Sequence, residues 1–498
     1  MLKIGLPLTL LAVFLVFSVS AFVIVGWIHT DEHYQILEFA NYKRGLIESK
    51  YLTWEFQDRI RPAIQPATAF VLLEFLDSIQ ISNPFSQTLI LRLISVALFI
   101  LCAYRLYLAL KEDFRSKFFQ YLYFAATFLV YIFPLSNGRF TSENWSSCIY
   151  ILGFAGLYPF IKRNSLRVID TKHALLIGVI FGLSFLFRYQ SAIMVFGLAL
   201  WLLVFRLRQI RYWLLMFSGF LIAVGAGVVL DYWLYGEWVL SAVNYFRANL
   251  IDGVAATFGV EPWWWYLKEL VYGRAMLLLN VSYGILILIF LVSKFKHPIT
   301  WIFVPFLIIH FLIGHKEMRF IYPVLIFLPY MFTSSLQLID DKIKSRRLLW
   351  AGLIPLILIN GFAFIATSLR AQDNSTEIFK FMRTLPNKPV CVYFDGDSFY
   401  YTLYETTHAP KFYKDKHLIV ARRKHPGFVD SLSNLHVSSD TLTYVILDYE
   451  EQEKVNGKSE PIFTPQPEFV TAINYRNWMR LGFTRWKLYS LNKTEKEL

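Results

Sequence analysis

The chain has 498 residues, of which 56% are hydrophobic, 18% aromatic and 17% charged. A water-soluble protein of this length needs a larger charged surface, so the composition indicates a protein with several membrane-spanning helices. The net charge is +13, but residues 370–498 hold 18 basic and 16 acidic residues, so most of the excess lies before them, largely in short loops. This is the positive-inside pattern of membrane proteins, and we expect no nucleic-acid partner.

Apolar segments that suit membrane helices recur along the first 369 residues. They lie near residues 5–28, 88–110, 118–134, 145–161, 174–204, 213–235, 276–293, 299–314, 320–338 and 348–368. The first is too long for the core of a signal peptide, so we expect an anchor that stays in the membrane. The loops with clustered Lys and Arg should face the cytoplasm.

The segment 174–204 has basic loops on both sides, so both of its ends should be cytoplasmic. It is too long for one straight span and short for two, and Phe187-Arg188-Tyr189-Gln190 interrupts it. We predict a hairpin of two short helices with Arg188 at its far end or in a cavity, because membrane backbone breaks only where protein or water satisfies it. The total becomes about eleven helices, with the C-terminus outside.

The outer segments are then a first outer loop over 29–87, a long outer loop over 236–275, two short turns, and the tail 370–498. The stretch 63–81 is moderately apolar but acidic in places, and we predict a surface or re-entrant helix. Short β-like runs at 390–394, 442–447 and 485–491 alternate with Pro, Gly and Asp in the tail. They predict a small α/β extracytoplasmic domain.

Two carboxylates, Asp31 and Glu32, follow the first apolar segment directly, where we expect the first helix to end. Charge is costly at membrane depth, so this position suggests chemistry at the interface or an ion pathway. Adjacent helical residues point about 100° apart, so one carboxylate would act as a general base while the other binds or orients. The plain alternative is favourable charge at the start of a juxtamembrane helix over 32–44.

Two further outer segments are candidates for substrate binding. Trp54 is followed by Arg61, and arginines beside a Trp at interface depth suit a phosphate headgroup, with ordinary lipid anchoring as the alternative. The turn 137–144 is polar and contains Arg139. Its alternative is a solvated loop with a helix cap at Ser142.

The long outer loop carries Tyr245 and Asn249 before an aromatic run that includes Trp263. The aromatic run suits the membrane interface on any interpretation. The polar residues before it suggest a structured loop that holds a sugar or a lipid.

The segment 314–320 places four ionisable groups between two apolar spans with almost no loop. A short hydrophilic turn normally uses Gly, Asn or Ser, whereas this one carries His315, Lys316, Glu317 and Arg319. Two or three cations at this place favour binding of a phosphate or pyrophosphate.

These motifs, in this order, resemble glycosyltransferase family 22, the polyprenyl-phosphate-mannose-dependent mannosyltransferases of GPI-anchor and N-glycan precursor assembly in the GT-C superfamily. The resemblance rests on His29-Thr30-Asp31-Glu32, Thr53-Trp54-Glu55, Phe187-Arg188-Tyr189-Gln190, Asn244-Tyr245-Phe246, Phe258-Gly259 with Pro262-Trp263-Trp264-Trp265-Tyr266, and His315-Lys316-Glu317-Met318-Arg319-Phe320. Thr30 stands where the family usually has Pro, and Trp264 where a His is common.

The resemblance implies an α-helical polytopic membrane protein of the GT-C type, with residues 1–369 as the transmembrane catalytic domain and 370–498 as the soluble extracytoplasmic or luminal α/β domain. It also implies inverting transfer of a sugar, most simply mannose, from a polyprenyl-phosphate-linked donor to a glycan or glycolipid acceptor. We expect no cofactor and no metal, since the sequence has no CxxC motif or His/Cys cluster.

One-step inversion needs a base that takes the acceptor proton, and the resemblance implies Asp31 in this role with Glu32 in support. The lipid phosphate that leaves is already anionic, so it needs cations rather than an acid. The implied donor phosphate-binding residues are His315, Lys316, Arg319 and Arg188. The implied substrate-binding residues are Glu317, Trp54, Arg61, Arg139, Tyr245, Asn249 and Trp263.

Three alternatives stay open. A transporter or flippase of lipid-linked sugars also needs buried charge and broken helices. A non-catalytic subunit of a glycan assembly complex, or a GT-C enzyme that uses another lipid-linked sugar, would share many of these features. We favour the bacterial inner membrane as the location, with the endoplasmic reticulum as the alternative and the active site on the extracytoplasmic or luminal side.

Overall fold

The structure is a computed structural model. It describes residues 5–23, 25–163, 169–206, 210–272, 277–343 and 345–369, and parts of the tail: 375–395, 397–404, 409–414, 417–425, 428, 440–447, 451–452, 460–465 and 486–491.

Helices dominate the first 369 residues. In chain order the α-helices are α1 (Gly5–Val23), α2 (Thr30–Glu32), α3 (Glu38–Lys43), α4 (Trp54–Gln57), α5 (Ile64–Ser78), α6 (Pro84–Leu110), α7 (Lys117–Leu129), α8 (Phe133–Asn137), α9 (Ser142–Lys162), α10 (Thr171–Phe187), α11 (Ser191–Arg206), α12 (Ile210–Tyr235), α13 (Ser241–Phe246), α14 (Trp265–Tyr272), α15 (Leu277–Ser293), α16 (Pro298–Leu312), α17 (Tyr322–Leu325), α18 (Leu328–Ile343), α19 (Arg346–Ser368), α20 (Ile378–Met382) and α21 (Asp397–Leu403). The strands are β1 (Val390–Phe394), β2 (Ile419–Arg423), β3 (Leu442–Leu447) and β4 (Lys487–Ser490).

Among the described residues, four helices are long and apolar enough to cross a membrane: α1, α6 with the turn that follows it, α12 and α19. The segment Met318–Leu325 and α18 make a fifth candidate if their 64° bend lies within one span. The apolar helices α10, α11, α15 and α16 are shorter, at 15 to 17 residues. The total of about eleven spans stays a prediction.

The chain divides into two units. Unit 1 consists of Met1–Ser18, Asp58–Thr68 and Leu91–Ser368, and unit 2 of Val19–Gln57, Ala69–Ile90 and Leu369–Leu498. The predicted domains 1–369 and 370–498 and the predicted outer loops stay predictions.

In unit 1, α10 and α12 pack with their backbones in close approach. A Cβ atom on Gly178 would overlap the carbonyl oxygen of Met216, and one on Gly219 would overlap that of Leu175. Gly182 of α10 likewise faces the backbone of α12. Small residues four apart allow membrane helices to pack this closely, and the close approach brings in van der Waals contacts over the whole length.

The predicted break near Arg188 is confirmed. The helix α10 ends at Phe187, Arg188 takes an extended conformation with φ −155° and ψ 116°, and α11 begins at Ser191.

Three helix boundaries differ from the prediction. The first helix ends at Val23 and not directly before Asp31, because Gly26 adopts a left-handed conformation with φ +74° that turns the chain. The predicted helix over 118–134 is two helices, since α7 ends at Leu129 and α8 begins at Phe133 with Pro134 in its first turn.

The predicted helix over 320–338 also breaks. A 3₁₀ turn over Met318–Ile321 leads into α17, and α18 follows after two residues. Pro323 and Pro329 lie in the first turns of these two helices. Proline is tolerated there because the N–H groups of a first turn make no hydrogen bond within the helix. The predicted helix over 63–81 is present as α5, on which Val71 and Phe75 are exposed.

In unit 2, the described residues of the tail form a four-stranded sheet with the strand order β2-β1-β3-β4. β1 pairs in parallel with β2 and β3, and β4 pairs antiparallel with β3. The runs 390–394 and 442–447 coincide with β1 and β3, and β4 lies within 485–491. One face packs into a small core of Phe428, Val445, Leu447 and Tyr489, flanked by Tyr393 and Leu491.

Candidate active site

The polar turn between α8 and α9 is buried. The hydroxyl oxygen of Thr141 accepts a hydrogen bond from the N–H of Asn144 at 3.3 Å and so caps α9. The side-chain amide of Asn144 donates to the carbonyl oxygens of Asn137 and Arg139, both at 2.9 Å. The alternative of a solvated loop capped at Ser142 is wrong, because Thr141 supplies the cap and the side chains of Asn137, Arg139 and Asn144 are buried.

Glu143 lies in the first turn of α9 and meets two arginines from distant parts of unit 1. Its Oε1 atom lies 2.7 Å from Nη1 of Arg188 and 3.8 Å from Nη1 of Arg319. Arg188 also donates to the hydroxyl of Ser142 at 3.0 Å. The three charged side chains are at most 9% exposed, so the carboxylate supplies the countercharge that lets both guanidinium groups stay out of water.

Glu143 was not among the predicted site residues. In the sequence it is an acidic residue just before an apolar run, which is the ordinary pattern of a helix N-terminus. Only the contact with Arg188 and Arg319 distinguishes it.

The segment 314–320 brings three predicted residues together. The Glu317 carboxylate accepts from Nε of Arg319 at 2.6 Å and from Nη2 at 2.9 Å, a two-point contact that fixes the plane of the guanidinium group. Nε2 of His315 lies 3.2 Å from the same carboxylate. The other ring nitrogen of His315 lies 3.1 Å from the carbonyl oxygen of Gly259, which ties the segment to the long loop.

Both arginines also lie against the ring of Phe320. The guanidinium carbons of Arg188 and Arg319 are each 5.5 Å from the ring centroid, within the range of a cation–π contact. Among the described residues, Nε of Arg188 has no hydrogen-bond partner. A buried N–H without a partner costs about 1–3 kcal/mol, so this atom is a donor available to an anionic group.

Lys316 points to a different place. Its ammonium donates to the carbonyl oxygens of His310, Phe311 and Ile313, at the C-terminal end of α16, with distances of 3.3 Å and 2.9 Å for the first two. Burial lowers the pKa of Lys316, and the charge of Glu261 opposes this effect. The predicted contact with a donor phosphate would require Lys316 to give up these carbonyl oxygens.

An open groove of about 310 Å³ lies beside His315. It is lined by Asn249, Leu250, Ala255, Ala256, Ile309, Leu312, Ile313, Gly314 and His315. Asn249 and His315 thus line the same groove, and the side-chain amide of Asn249 donates to the carbonyl oxygen of Tyr245 at 2.9 Å. The Trp263 side chain is exposed.

Tyr245 links two other predicted elements in unit 1. Its hydroxyl accepts from Nε2 of Gln190 at 3.0 Å, and the guanidinium carbon of Arg61 lies 5.9 Å from its ring centroid. The carbonyl oxygen of Arg61 accepts from the Tyr235 hydroxyl at 2.7 Å. Tyr245 therefore joins the break between α10 and α11 to the segment that carries Arg61.

Asp31 and Glu32 belong to unit 2, where they form the first turn of a helix that begins at Thr30. Glu32 is buried, and its carboxylate accepts a hydrogen bond from the N–H of Ile28. Asp31 is half-buried. The two adjacent carboxylates thus have different surroundings, as their spacing predicts.

Trp54, at the start of α4, is half-buried in the same unit. The next residue, Glu55, is buried and accepts from Nε2 of Gln35 at 2.8 Å. This bond ties α4 to the helical segment that follows Asp31.

Among the described residues, no three His, Cys, Asp or Glu side chains come together as a set of metal ligands. The expectation of no metal and no cofactor stays a prediction.

The model of the Alg9-like mannosyltransferase family matches residues 8–406. The chain belongs to this family. The resemblance to glycosyltransferase family 22 is confirmed, since this is the family whose model matches.

Similar proteins are known from plants, animals and yeasts. Mannosyltransferase APTG1 of Arabidopsis thaliana is 26% identical over 339 residues, which cover 65% of this chain and 57% of that protein. GPI alpha-1,2-mannosyltransferase 3 of Mus musculus is 26% identical over 60% of this chain and 53% of that protein. GPI mannosyltransferase 3 of Yarrowia lipolytica is 25% identical over 72% and 68%. The chain spans little more than half the length of the first two relatives.

Two solved structures share the fold. ArnT from Cupriavidus metallidurans bound to undecaprenyl phosphate superposes with a TM-score of 0.50 at 11% identity, over 99% of both chains. The apo oligosaccharyltransferase of Archaeoglobus fulgidus gives 0.50 at 12% identity, over 89% of this chain and 70% of that one. Both are GT-C enzymes, so this member of the Alg9-like family is a helical protein with GT-C neighbours. The roles of the individual site residues stay predictions.

Proposed function

We propose that the chain is an inverting mannosyltransferase of a membrane, which moves mannose from a polyprenyl-phosphate-linked donor to a glycan or glycolipid acceptor. The observation that carries the proposal is the pair of arginines, Arg188 and Arg319, that share the buried carboxylate of Glu143. Membership of the Alg9-like family and the mannosyltransferase names of the relatives support the choice of sugar.

The two arginines suit the phosphate of the donor. Guanidinium groups contact phosphate oxygens through two parallel N–H groups. Here the two-point contact with Glu317 fixes the plane of Arg319, while Arg188 lies 2.7 Å from Glu143 and donates to the hydroxyl of Ser142. The unpartnered Nε of Arg188 is a donor that a phosphate oxygen would satisfy. His315 lies beside Arg319 through Glu317. Its ring nitrogens face the Glu317 carboxylate and the Gly259 carbonyl oxygen, so phosphate binding by His315 would require it to release one of these acceptors.

The chemical step transfers one proton and one sugar. The acceptor hydroxyl attacks the anomeric carbon as its proton passes to the carboxylate of Asp31, and the bond from that carbon to the phosphate oxygen breaks. The electron pair stays on the phosphate, and the cations stabilise the charge that develops there. Glu32, fixed to the Ile28 N–H, holds the turn that carries Asp31.

Glu317, Trp54, Arg61, Arg139, Tyr245, Asn249 and Trp263 are the proposed substrate-binding residues. We place the site on the extracytoplasmic or luminal side of a protein with about eleven spans, with the tail as an α/β domain on that side. The bacterial inner membrane is the proposed location and the endoplasmic reticulum the alternative.

The test is sugar transfer by purified wild-type protein, Asp31→Asn and Glu32→Gln with EDTA present. The assay supplies polyprenyl-phosphate-mannose and a panel of mannose-ended glycolipids. We expect transfer by the wild type and a loss of kcat of about 10²-fold or more in Asp31→Asn with unchanged folding. Equal kcat in wild type and Asp31→Asn would remove Asp31 from the chemistry. No transfer by the wild type would reject the mannose donor and favour a flippase, a subunit or another sugar.

A further inference from the structure

A π-helical turn follows Asp31 and Glu32 directly. The helix widens over His33–Leu37 and returns to α-helix over Glu38–Lys43. Such turns are rare in proteins overall, but many of those that occur lie at functional sites. They bring together side chains that an α-helix would separate. Here the wider turn brings two residues five positions apart together: Nε2 of His33 lies 2.9 Å from Oε1 of Glu38.

The His33–Glu38 pair is sealed off from water. The two side chains are 1% and 3% exposed. The His33 ring is stacked between Trp27, at a centroid distance of 4.6 Å, and Tyr413, at 5.4 Å with the planes only 12° apart. Because a carboxylate only accepts hydrogen bonds, Nε2 of His33 is the donor to Glu38.

Two residues of the tail, Phe412 and Tyr413, also contact the His33–Glu38 pair. The N–H of Phe412 donates to the same Oε1 atom of Glu38 at 2.9 Å, next to the ring of Tyr413 on His33. Residues 409–414 therefore close over the turn that follows Asp31, although they come about 380 positions later in the chain. The family match ends at residue 406, so residues 409–414 lie outside it, whereas His33 and Glu38 lie within it.

Residues 409–414 are themselves firmly held. Nη2 of Arg383 donates to the carbonyl oxygens of Tyr413 at 3.3 Å and Lys414 at 3.2 Å. The Lys411 ammonium lies 4.0 Å from the centroid of the Tyr51 ring, and the Tyr413 ring lies 4.9 Å from that of Phe85. These contacts join the segment to Arg383, Tyr51 and Phe85, all of which belong to unit 2.

We propose that residues 409–414 are a positioning clamp for Asp31. The clamp acts on Asp31 through the His33–Glu38 pair. Tyr413 and the N–H of Phe412 fix this pair, and the pair fixes the helical turn of which Asp31 is part. A base displaced by about 1 Å from the proton it abstracts can cost about 10²-fold in rate, so the clamp affects turnover and not donor affinity. The inference rests on the proposed function, in which Asp31 is the general base.

The kinetic test replaces Tyr413, a positioning residue that does not contact the substrate in this proposal. We expect Tyr413→Leu to lower kcat about 10-fold or more with the donor KM unchanged, and Tyr413→Phe, which keeps the ring on His33, to restore most of it. Tyr400→Leu is the control, because Tyr400 is an exposed tyrosine of the same unit. In an Asp31→Asn background, Tyr413→Leu should cost almost nothing more, since residues that act through one group are not additive.

The clamp would be overturned if Tyr413→Leu left kcat unchanged in the wild-type background. It would also be overturned if Tyr413→Leu lowered kcat by the same factor in the Asp31→Asn background as in the wild type. A second measurement needs no transfer activity: hydrogen exchange of the full-length chain in detergent. Tyr413→Leu should speed exchange in peptides that cover residues 30–38 and leave those from α15 unchanged. Unchanged exchange over 30–38 would also overturn the clamp. Faster exchange there with a wild type that transfers no mannose would keep the clamp and reject the proposed function.

Discussion

Nη1 of Arg188 lies 2.7 Å from Oε1 of Glu143, in a place where both side chains are less than a tenth exposed. Arg188 comes from the break between two helices and Glu143 from the first turn of another. Arg319 approaches the same oxygen at 3.8 Å. The carboxylate thus supplies the countercharge for two buried guanidinium groups, and this pair is the proposed binding site for the donor phosphate.

Removal of the Glu143 charge should destabilise the protein strongly. In Glu143→Ala, Arg188 and Arg319 would remain buried without this countercharge, which costs about 3–5 kcal/mol in other buried ion pairs. The free energy of unfolding in detergent should fall by that amount, and transfer activity should fall with it. Glu112→Gln is the control: Glu112 is 64% exposed, and its loss should change stability by less than about 0.5 kcal/mol. Equal stability of Glu143→Ala and Glu112→Gln would contradict the countercharge role.

Lys316 offers a way to separate capping from phosphate binding. Its ammonium faces three carbonyl oxygens of the α16 terminus, so Lys316→Gln should lower the free energy of unfolding by about 1.5–3 kcal/mol and leave the donor KM unchanged. Lys296→Gln, at an exposed lysine in a basic loop, should change neither. A raised donor KM in Lys316→Gln without loss of stability would support the predicted phosphate contact.

Local patterns predicted much of the fold. The strands β1 and β3 coincide with apolar runs bounded by Pro, Asp and Gly. These strands were predictable because a short apolar run between turn residues is the sequence pattern of a buried strand. The break at Arg188 was also predictable. A charged residue within an apolar segment that is too long for one span indicates a helix break, at which protein or water supplies hydrogen bonds to the backbone.

Contacts between segments that are distant in the chain could not be predicted from the sequence. Glu143 and Arg319 are 176 positions apart, and neither spacing nor composition pairs them. Lys316 shows the same limit, because a lysine in a cationic cluster looks like its neighbours until its ammonium is seen on α16. The end of the first helix depended on the backbone conformation of Gly26, which an apolar run conceals.

The glycines of α12 allow a matched test of helix packing. A Cβ on Gly219 would overlap the Leu175 carbonyl oxygen of α10, whereas a Cβ on Gly225 of the same helix would meet no atom within 4 Å. Gly219→Ala should therefore lower the thermal midpoint in detergent, because two backbones have to move apart. Gly225→Ala should leave it unchanged or raise it slightly, since alanine favours helix by about 1 kcal/mol over glycine. If both variants melted alike, α10 and α12 would not be in close approach.

A second buried network lies in the turn before α16 and links it to other helices of unit 1. Nε2 of His297 lies 3.1 Å from the hydroxyl oxygens of Tyr158 and Tyr330, and both hydroxyls donate to the carboxylate of Asp113. Lys162 lies 2.7 Å from that carboxylate. Nδ1 of His297 accepts from the N–H of Ile299 at 3.3 Å and so caps α16.

This network should make the protein sensitive to acid. Burial lowers the pKa of His297 from 6.5 to about 4, with Lys294 acting in the same direction and Asp113 against it. Because the folded-state pKa is the lower one, the unfolded chain binds more protons in this range. The contribution of His297 to stability is complete above pH 6.5 and is lost as the pH falls toward 4.

His297→Asn is the variant that isolates this effect, since Asn keeps a helix cap but has no proton to gain. We expect the unfolding midpoint of the wild type to fall more steeply than that of His297→Asn between pH 6.5 and pH 4. His425→Asn, at an exposed histidine of unit 2, should follow the wild type across the same series. Parallel curves for wild type and His297→Asn would show that His297 takes up its proton without cost, and acid lability would then have to come from the carboxylates.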